Sequence, residues 1–330
     1  MKYLSLFSGV GGFELGIIKA YENRNTNVSE VRGGQETKEG ELQEDGQGLH
    51  SIPSETTLHI RDGDNELPHR GINEGQPTCI GYSEIDKYAI QIYQKHFPEH
   101  KNYGDITKID TAELPDFDLL VGGFPCQAFS IAGKRRGFDD TRGTLFFDIA
   151  RILKEKRPRN FILENVKGLL SHDNGRTFKT IISTLAELGY CVEWQVLNAK
   201  NFGVPQNRER VFIVGHLGGI PERKVFPIGE SNGEYAKGLK QLNSPKFSSN
   251  RIYAKEGIMP NLRTMQGGNL QPKFLAGTRI RRLTPLECER LMSYPDGWTE
   301  GLSDTQRYKT LGNGIVSNVV AEVVKRMFTP

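Results

Sequence analysis

Short apolar runs alternate with amphipathic stretches along most of this chain, and that alternation is the strongest limit on its fold. The runs at 2–7, 79–84, 117–121, 160–163, 190–197 and 210–215 have the length of buried strands, and most stop at glycine, proline or a charged side chain. Helical periodicity fills 13–21, 86–96, 143–155 and 177–188. Strands that alternate with helices pair mainly in parallel, so the pattern predicts a mixed, mainly parallel α/β sheet covered by helices on both faces. In such sheets ligands bind at the rim beyond the carboxyl ends of the strands. The residues that follow each run are therefore the first place to look for chemistry.

The first run enters Ser8-Gly9-Val10-Gly11-Gly12. A strand, a glycine loop and a helix let the backbone approach a nucleotide-like ligand closely. The loop lacks the Gly-Lys-Ser/Thr ending of a phosphate loop, which disfavours ATP. The second run ends at Glu84, where a carboxylate can accept ribose hydroxyls. Asp105 follows in the next loop, where it can accept from an adenine amino group. Each acid also suits a turn or a helix cap; both together with the glycine loop point to a nucleoside pocket.

The third run leads into Gly-Gly-Phe-Pro-Cys-Gln-Ala-Phe-Ser at 122–130. Cys126 stands on the rim, in a loop opened by two glycines and stiffened by Pro125. A free cysteine is usually a small buried hydrophobe, and Cys79, Cys191 and Cys288 read that way. Cys126 instead shares its rim with Glu164, directly after the fourth run, and with Arg208 and Arg210 of Gln206-Asn207-Arg208-Glu209-Arg210. A nucleophilic thiol needs an electrophile and groups that stabilise the charge building on it, and these side chains can supply the second. No histidine lies in these motifs, which disfavours a cysteine–histidine protease.

Composition narrows the class further. Of 330 residues, 36% are hydrophobic and 25% charged, as in a globular protein. No apolar run approaches the roughly 18 residues of a membrane span, and the first one is too short for a signal peptide. Four cysteines with no CxxC pair argue against zinc or a disulfide framework and for a reducing compartment. The net charge of +3 is unevenly placed: residues 22–77 hold 12 acidic and 5 basic side chains, whereas 200–282 hold 15 basic and 5 acidic. A basic block of that kind is the footprint of a polyanion partner. Residues 23–76 are polar, show neither period, and read as an insertion between the first helix and the second strand. Residues 131–142, with Lys134, Arg135, Arg136 and Arg142, read as a lid over substrate. Past residue 215 the chain becomes loop-rich, as a second domain. Thr284-Pro285-Leu286-Glu287 opens a helix with a threonine cap and proline at its first position. Gly312-Asn313-Gly314 reads as the opening of a last apolar helix, 315–327, that packs back on the first domain.

Taken in order, Leu6 to Phe13, Gly122 to Ser130, Glu164-Asn165-Val166, Gln206-x-Arg208-x-Arg210, Arg282 to Cys288 and Gly312-Asn313 resemble the motifs of the DNA (cytosine-5)-methyltransferase family, of the restriction-modification type. The resemblance covers nearly all of the chain apart from the insertion and the second domain. It implies a Rossmann-like methyltransferase: a catalytic domain at 1–215, a small loop-rich target-recognition domain at 216–280, and a hinge with a returning C-terminal helix at 281–330. It implies S-adenosyl-L-methionine as cofactor, S-adenosyl-L-homocysteine as product and no metal. It further implies double-stranded DNA as partner and a monomer in a prokaryotic cytoplasm, or phage-encoded, with no membrane association. Any cognate restriction endonuclease would act separately.

In the family's mechanism the target cytosine is flipped out of the duplex and the Cys126 thiolate adds to ring C6. Glu164 hydrogen-bonds N3 and the amino group, while Arg208 and Arg210 orient the base and help position the thiolate. The cofactor contacts fall on Phe7, Val10, Gly12, Glu84, Asp105, Pro125, Leu145 and Asn313. The DNA contacts fall on Gln127, Ser130 and Arg142 in the lid, and on Thr264, Gly267 and Gly268 in the turn expected to enter the major groove. Gly314 departs from the Ser or Ala common in the family. Methylation of tRNA cytosine on the same scaffold, or a DNA-binding regulator without catalysis, are the alternatives. The dedicated second domain favours duplex DNA over the first, and the intact thiol argues against the second.

Overall fold

The computed structural model describes residues 1–32, 76–125, 145–219, 224–229, 240–245, 250–254, 257–264 and 271–328. One six-stranded sheet forms its centre, built from β1 (Lys2–Leu6), β2 (Thr78–Ser83), β3 (Leu119–Gly123), β4 (Asn160–Val166), β5 (Tyr190–Asn198) and, after the short β6 (Gln206–Asn207), β7 (Glu209–Leu217). The strand order is β2-β1-β3-β4-β7-β5. The first four are mutually parallel, and β7 runs antiparallel to both of its neighbours. This is the expected mixed, mainly parallel sheet.

Both faces are buried because the strands are apolar on both sides. Successive side chains point to opposite faces. Tyr3, Leu119, Val121, Ile162, Phe212 and Val214 enter one core, and Leu4, Leu6, Leu120, Phe161, Leu163, Val211 and Ile213 the other. The first core is covered by α1 (Gly12–Arg32), α2 (Lys87–His96) and, from the far end of the sequence, α5 (Pro285–Leu291), α6 (Asp304–Asn313) and α7 (Ser317–Phe328); the second is covered by α3 (Leu145–Lys156) and α4 (Arg176–Glu187). Each fully buried Leu, Ile or Phe contributes about 1.5–3 kcal/mol through removal from water. The caps follow the sequence signals. Asp86 accepts from the Tyr88 and Ala89 amides at the start of α2. Thr284 and Glu287 form a reciprocal capping box on α5, with Pro285 at its first position.

Two boundaries differ from the sequence expectation. Helix α1 runs on to Arg32, ten residues into the stretch read as a polar insertion. Gly312-Asn313 closes α6, with Gly314 as its cap residue, and does not open the final helix, which begins at Ser317. The last helix packs on α1: a Cβ on Gly16 of α1 would stand 2.5 Å from Val320 of α7, so the two helices touch with nothing between them.

A second, small sheet follows β7. It consists of β8 (Ile252–Ala254), β10 (Lys273–Ala276) and β11 (Arg279–Arg282), in the order β11-β10-β8. The intervening β9 (Met259–Pro260) pairs in parallel with β6 and so fastens this unit to the start of β7. No helix among the described residues is long and apolar enough to cross a membrane.

Candidate active site

Glu164 sits at the carboxyl end of β4, largely buried, and its carboxylate accepts from Arg210 Nε at 2.9 Å. The pair forms across the sheet because β4 and β7 are antiparallel neighbours, with Val166 opposite Arg210. Burial pushes the Glu164 pKa up, while the Arg210 and Arg208 guanidiniums pull it down; burial wins. On its other side Glu164 faces β3, where Gly123 is its register partner. A Cβ on Gly123 would stand 3.1 Å from Glu164 Oε2, so the glycine lets the carboxylate lie against the strand. The next residue, Asn165, donates from Nδ2 to the Phe124 carbonyl at 2.8 Å, pinning the turn that precedes Pro125. Pro125 is exposed at the rim. Cys126, Gln127, Ser130, Arg142, Gly267 and Gly268 lie outside the described residues.

The glycine loop and the ends of β1 and β2 enclose a second feature on the same rim. Glu84 Oε2 accepts from the Gly9 amide at 2.9 Å, and its Oε1 accepts from the amides of Ile85 and Asp86, both at 2.8 Å. Asn102 bridges this turn to the next loop: its Oδ1 accepts from the Gly104 amide and its Nδ2 donates to the Glu84 carbonyl. Asp105 caps a short helical turn, accepting from Thr107 through both amide and hydroxyl, which lowers its pKa. Phe7, half-buried, takes a left-handed conformation with φ 54°. Strain of that kind in a non-glycine residue is rare and concentrates at ligand sites. A Cβ on Gly9 or on Gly104 would meet nothing within 4 Å, so both loops border open space. Val10 is buried, and Gly12 faces inward, where a Cβ would stand 2.4 Å from the Tyr294 hydroxyl. Leu145 opens α3, half-buried, and Asn313 is exposed at the end of α6.

Arg208 acts on Glu164 and Arg210 through its charge, but its hydrogen bonds go elsewhere. It is 3% exposed and spends its guanidinium on Asn261 Oδ1 and the Leu262 carbonyl in the second unit, and on the Gly312 and Gly314 carbonyls at the α6–α7 junction. Burial, then repulsion from Arg210, lowers its pKa to about 9. Its neighbour Gln206, fully buried, ties the same parts together: it donates to the Leu291 carbonyl and accepts from the Leu262 amide. Thr264 lies where the second unit meets α6, since a Cβ on Gly312 would stand 2.1 Å from the Arg263 carbonyl oxygen and 2.6 Å from the Thr264 nitrogen. Of the two arginines singled out by sequence, Arg210 therefore hydrogen-bonds Glu164, whereas Arg208 hydrogen-bonds the second unit and the α6–α7 junction.

The β10–β11 hairpin carries Lys273, Arg279, Arg281 and Arg282, with Lys273 directly opposite Arg282. Arg281 lies over the Phe274 ring and pairs with Glu287. No acidic residue occurs from 257 to 286.

Sequence reasoning missed Asn102, Ile85 and Trp298. Ile85 is 73% exposed beside Glu84, an apolar side chain at the open crevice; the legible signal was an isoleucine straight after an acidic strand end. Trp298 donates to the Val10 carbonyl from a segment 288 residues away, which no local pattern announces.

The chain matches the family model of the C-5 cytosine-specific DNA methylase over residues 69–274 and 222–329. It is 41% identical over 275 residues to the type II methyltransferase M1.ScrFI of Lactococcus lactis subsp. cremoris, covering 74% of this chain and 70% of that protein. Over 193 residues it is 49% identical to the type II methyltransferase M.NlaIV of Neisseria lactamica, covering 54% of this chain and 46% of the relative. Among solved structures, the S. pombe Dnmt2 methyltransferase superimposes with a TM-score of 0.66 at 17% identity, covering 98% of this chain and 97% of the other.

Proposed function

Because the chain belongs to the C-5 cytosine-specific DNA methylase family, we propose that it methylates C5 of a cytosine flipped out of duplex DNA, through a transient bond between Cys126 and ring C6. Glu164 carries this reading: a carboxyl sunk at the sheet rim, gripped by Arg210, one strand away from the residues that lead to Cys126. The Cys126 thiolate forms a C–S bond to C6, and the displaced electron pair flows toward N3. Glu164, its pKa raised by burial, supplies the proton that N3 takes up, and Arg210 fixes the carboxyl in place. C5 is then an enamine carbon able to accept a methyl group. Loss of the C5 proton returns electrons to the ring and expels the thiolate, while N3 gives its proton back to Glu164. Arg208 acts on the geometry between the two units rather than on the base.

S-adenosyl-L-methionine, the cofactor of this chemistry, supplies an electrophilic methyl on a sulfonium sulfur when bound. Gly9, Glu84, Gly104 and Asp105 suit its nucleoside: two carboxylates with lone pairs to spare and two glycines bordering open space. The basic hairpin and the acid-free stretch around it favour a polyanion partner. In this reading the enzyme works as a monomer in a prokaryotic cytoplasm, and any matching endonuclease is a separate protein.

The test uses the full-length protein, cofactor, and duplexes carrying 5-fluorocytosine at the methylated position, where the C5 substituent cannot leave as a proton. The wild type is expected to become covalently attached. Cys126→Ala should neither attach nor methylate, yet still retard the duplex on a gel. Methyl transfer by Cys126→Ala, or transfer to tRNA with none to duplex DNA, would overturn the reading.

A further inference from the structure

The glycine loop rests on an aromatic floor. A Cβ on Gly11, where φ is +90°, would stand 2.6 Å from the Phe97 ring, and one on Gly12 would meet the Tyr294 hydroxyl. Between them a single peptide plane, Val10–Gly11, is held from both sides. The Gly11 amide donates to the Ser8 carbonyl at 3.1 Å. The Val10 carbonyl accepts from Trp298 Nε1 at 2.8 Å. Trp298 is 1% exposed. Its ring stacks on His96, with centroids 3.6 Å apart and planes 10° from parallel, and the Tyr294 ring leans on it at 5.8 Å. His96 Nε2 also lies 2.7 Å from the Trp298 carbonyl. The indole therefore has no freedom to turn, and its single donor is committed to the loop.

Gly12, the next residue but one, is the first of α1. The Val10–Gly11 plane thus sets how the loop enters the helix, and with it the path of the Gly9 backbone that meets Glu84. We propose that Trp298 is a positioning residue for the cofactor: its indole N–H fixes the Val10–Gly11 peptide, so that the loop is already in its binding conformation before the ligand arrives. This rests on the reading of the Gly9–Glu84–Asp105 crevice as the cofactor site. A preformed loop spares the ligand the cost of ordering it.

The experiment is Trp298→Phe in the full chain. That change keeps an aromatic ring on His96 and removes the donor. Calorimetric titration of S-adenosyl-L-methionine and of S-adenosyl-L-homocysteine, without DNA, should show dissociation constants raised about tenfold, the effect of one buried hydrogen bond whose acceptor is left unpaired. In turnover, KM for the cofactor should rise by a similar factor, with kcat reduced less than twofold. Ile181→Ala, on α4 across the sheet, serves as a control that lowers stability without touching the loop, and its cofactor affinity should match the wild type. Should Trp298→Phe not fold, His96→Ala leaves the donor but removes the ring that holds it in plane, and should weaken binding in the same direction. Cofactor affinity within twofold of wild type in the folded Trp298 or His96 variant overturns the assignment, as does an equal loss in Ile181→Ala. If the wild type binds neither compound, the crevice reading itself falls, a result distinct from either of these.

Discussion

Glu164 and Glu14 are both carboxyls taken out of water, and their surroundings give them opposite uses. Glu164 has a guanidinium at 2.9 Å. Glu14, in the first turn of α1 and fully buried, accepts from the Tyr93 hydroxyl at 2.9 Å, and no cation is among the groups that shift its pKa. Desolvation raises its pKa from 4.5 to about 7. A carboxyl whose desolvation outweighs its hydrogen bonds, with no cation to offset it, is best accommodated protonated. The folded chain therefore holds this proton at pH values where the unfolded chain has released it. Below the unfolded pKa the contribution is complete; it fades as pH rises, by about 1.4 kcal/mol per unit, until the folded group also ionises. Across the window from 4.5 to about 7 the loss amounts to about 3 kcal/mol. Glu14→Gln should remove that slope. Urea unfolding of both proteins at several pH values checks it, since the difference between them isolates Glu14 from the half-buried His96 and His216.

Much of the sheet was legible as elements. Apolar runs of strand length carry their own two-sided burial, and Thr284, Pro285 and Glu287 announce a helix start through local hydrogen bonds alone. The α6–α7 boundary was not legible, because Gly312 is glycine for a tertiary reason: the Arg263–Thr264 backbone lies where its side chain would be. A glycine demanded by a distant neighbour looks, in sequence, like a glycine demanded by a turn. The same holds in the site. Glu164, Arg208 and Arg210 read from their motifs as one rim cluster, and that Arg210 rather than Arg208 hydrogen-bonds Glu164 depends only on what surrounds each. Gly312→Ala should push the second unit off α6. Overpacking of this kind typically costs about 1–3 kcal/mol, so a lowered melting temperature and weaker duplex binding are expected, with cofactor affinity changed much less. Thermal unfolding and separate titrations with duplex and cofactor check this.

At the scale of the molecule, Arg208 and Gln206 make one joint out of three parts. The start of β7, the second unit at Asn261–Leu262, and the α6–α7 and α5 ends all converge on these two side chains. Arg208→Met would preserve most of the volume and strip the carbonyls of their donor. Leaving several buried acceptors unpaired costs about 3 kcal/mol or more in total. The variant should melt earlier and be cut faster by protease within 216–280, and its affinity for duplex should fall more than its affinity for cofactor. Limited proteolysis followed by mass measurement, beside both titrations, decides it.

The direct seat of Gly16 on Val320 has a consequence for synthesis. α7 follows α1 by some three hundred residues, so the seat that Gly16 offers stays uncovered while the chain between them is made.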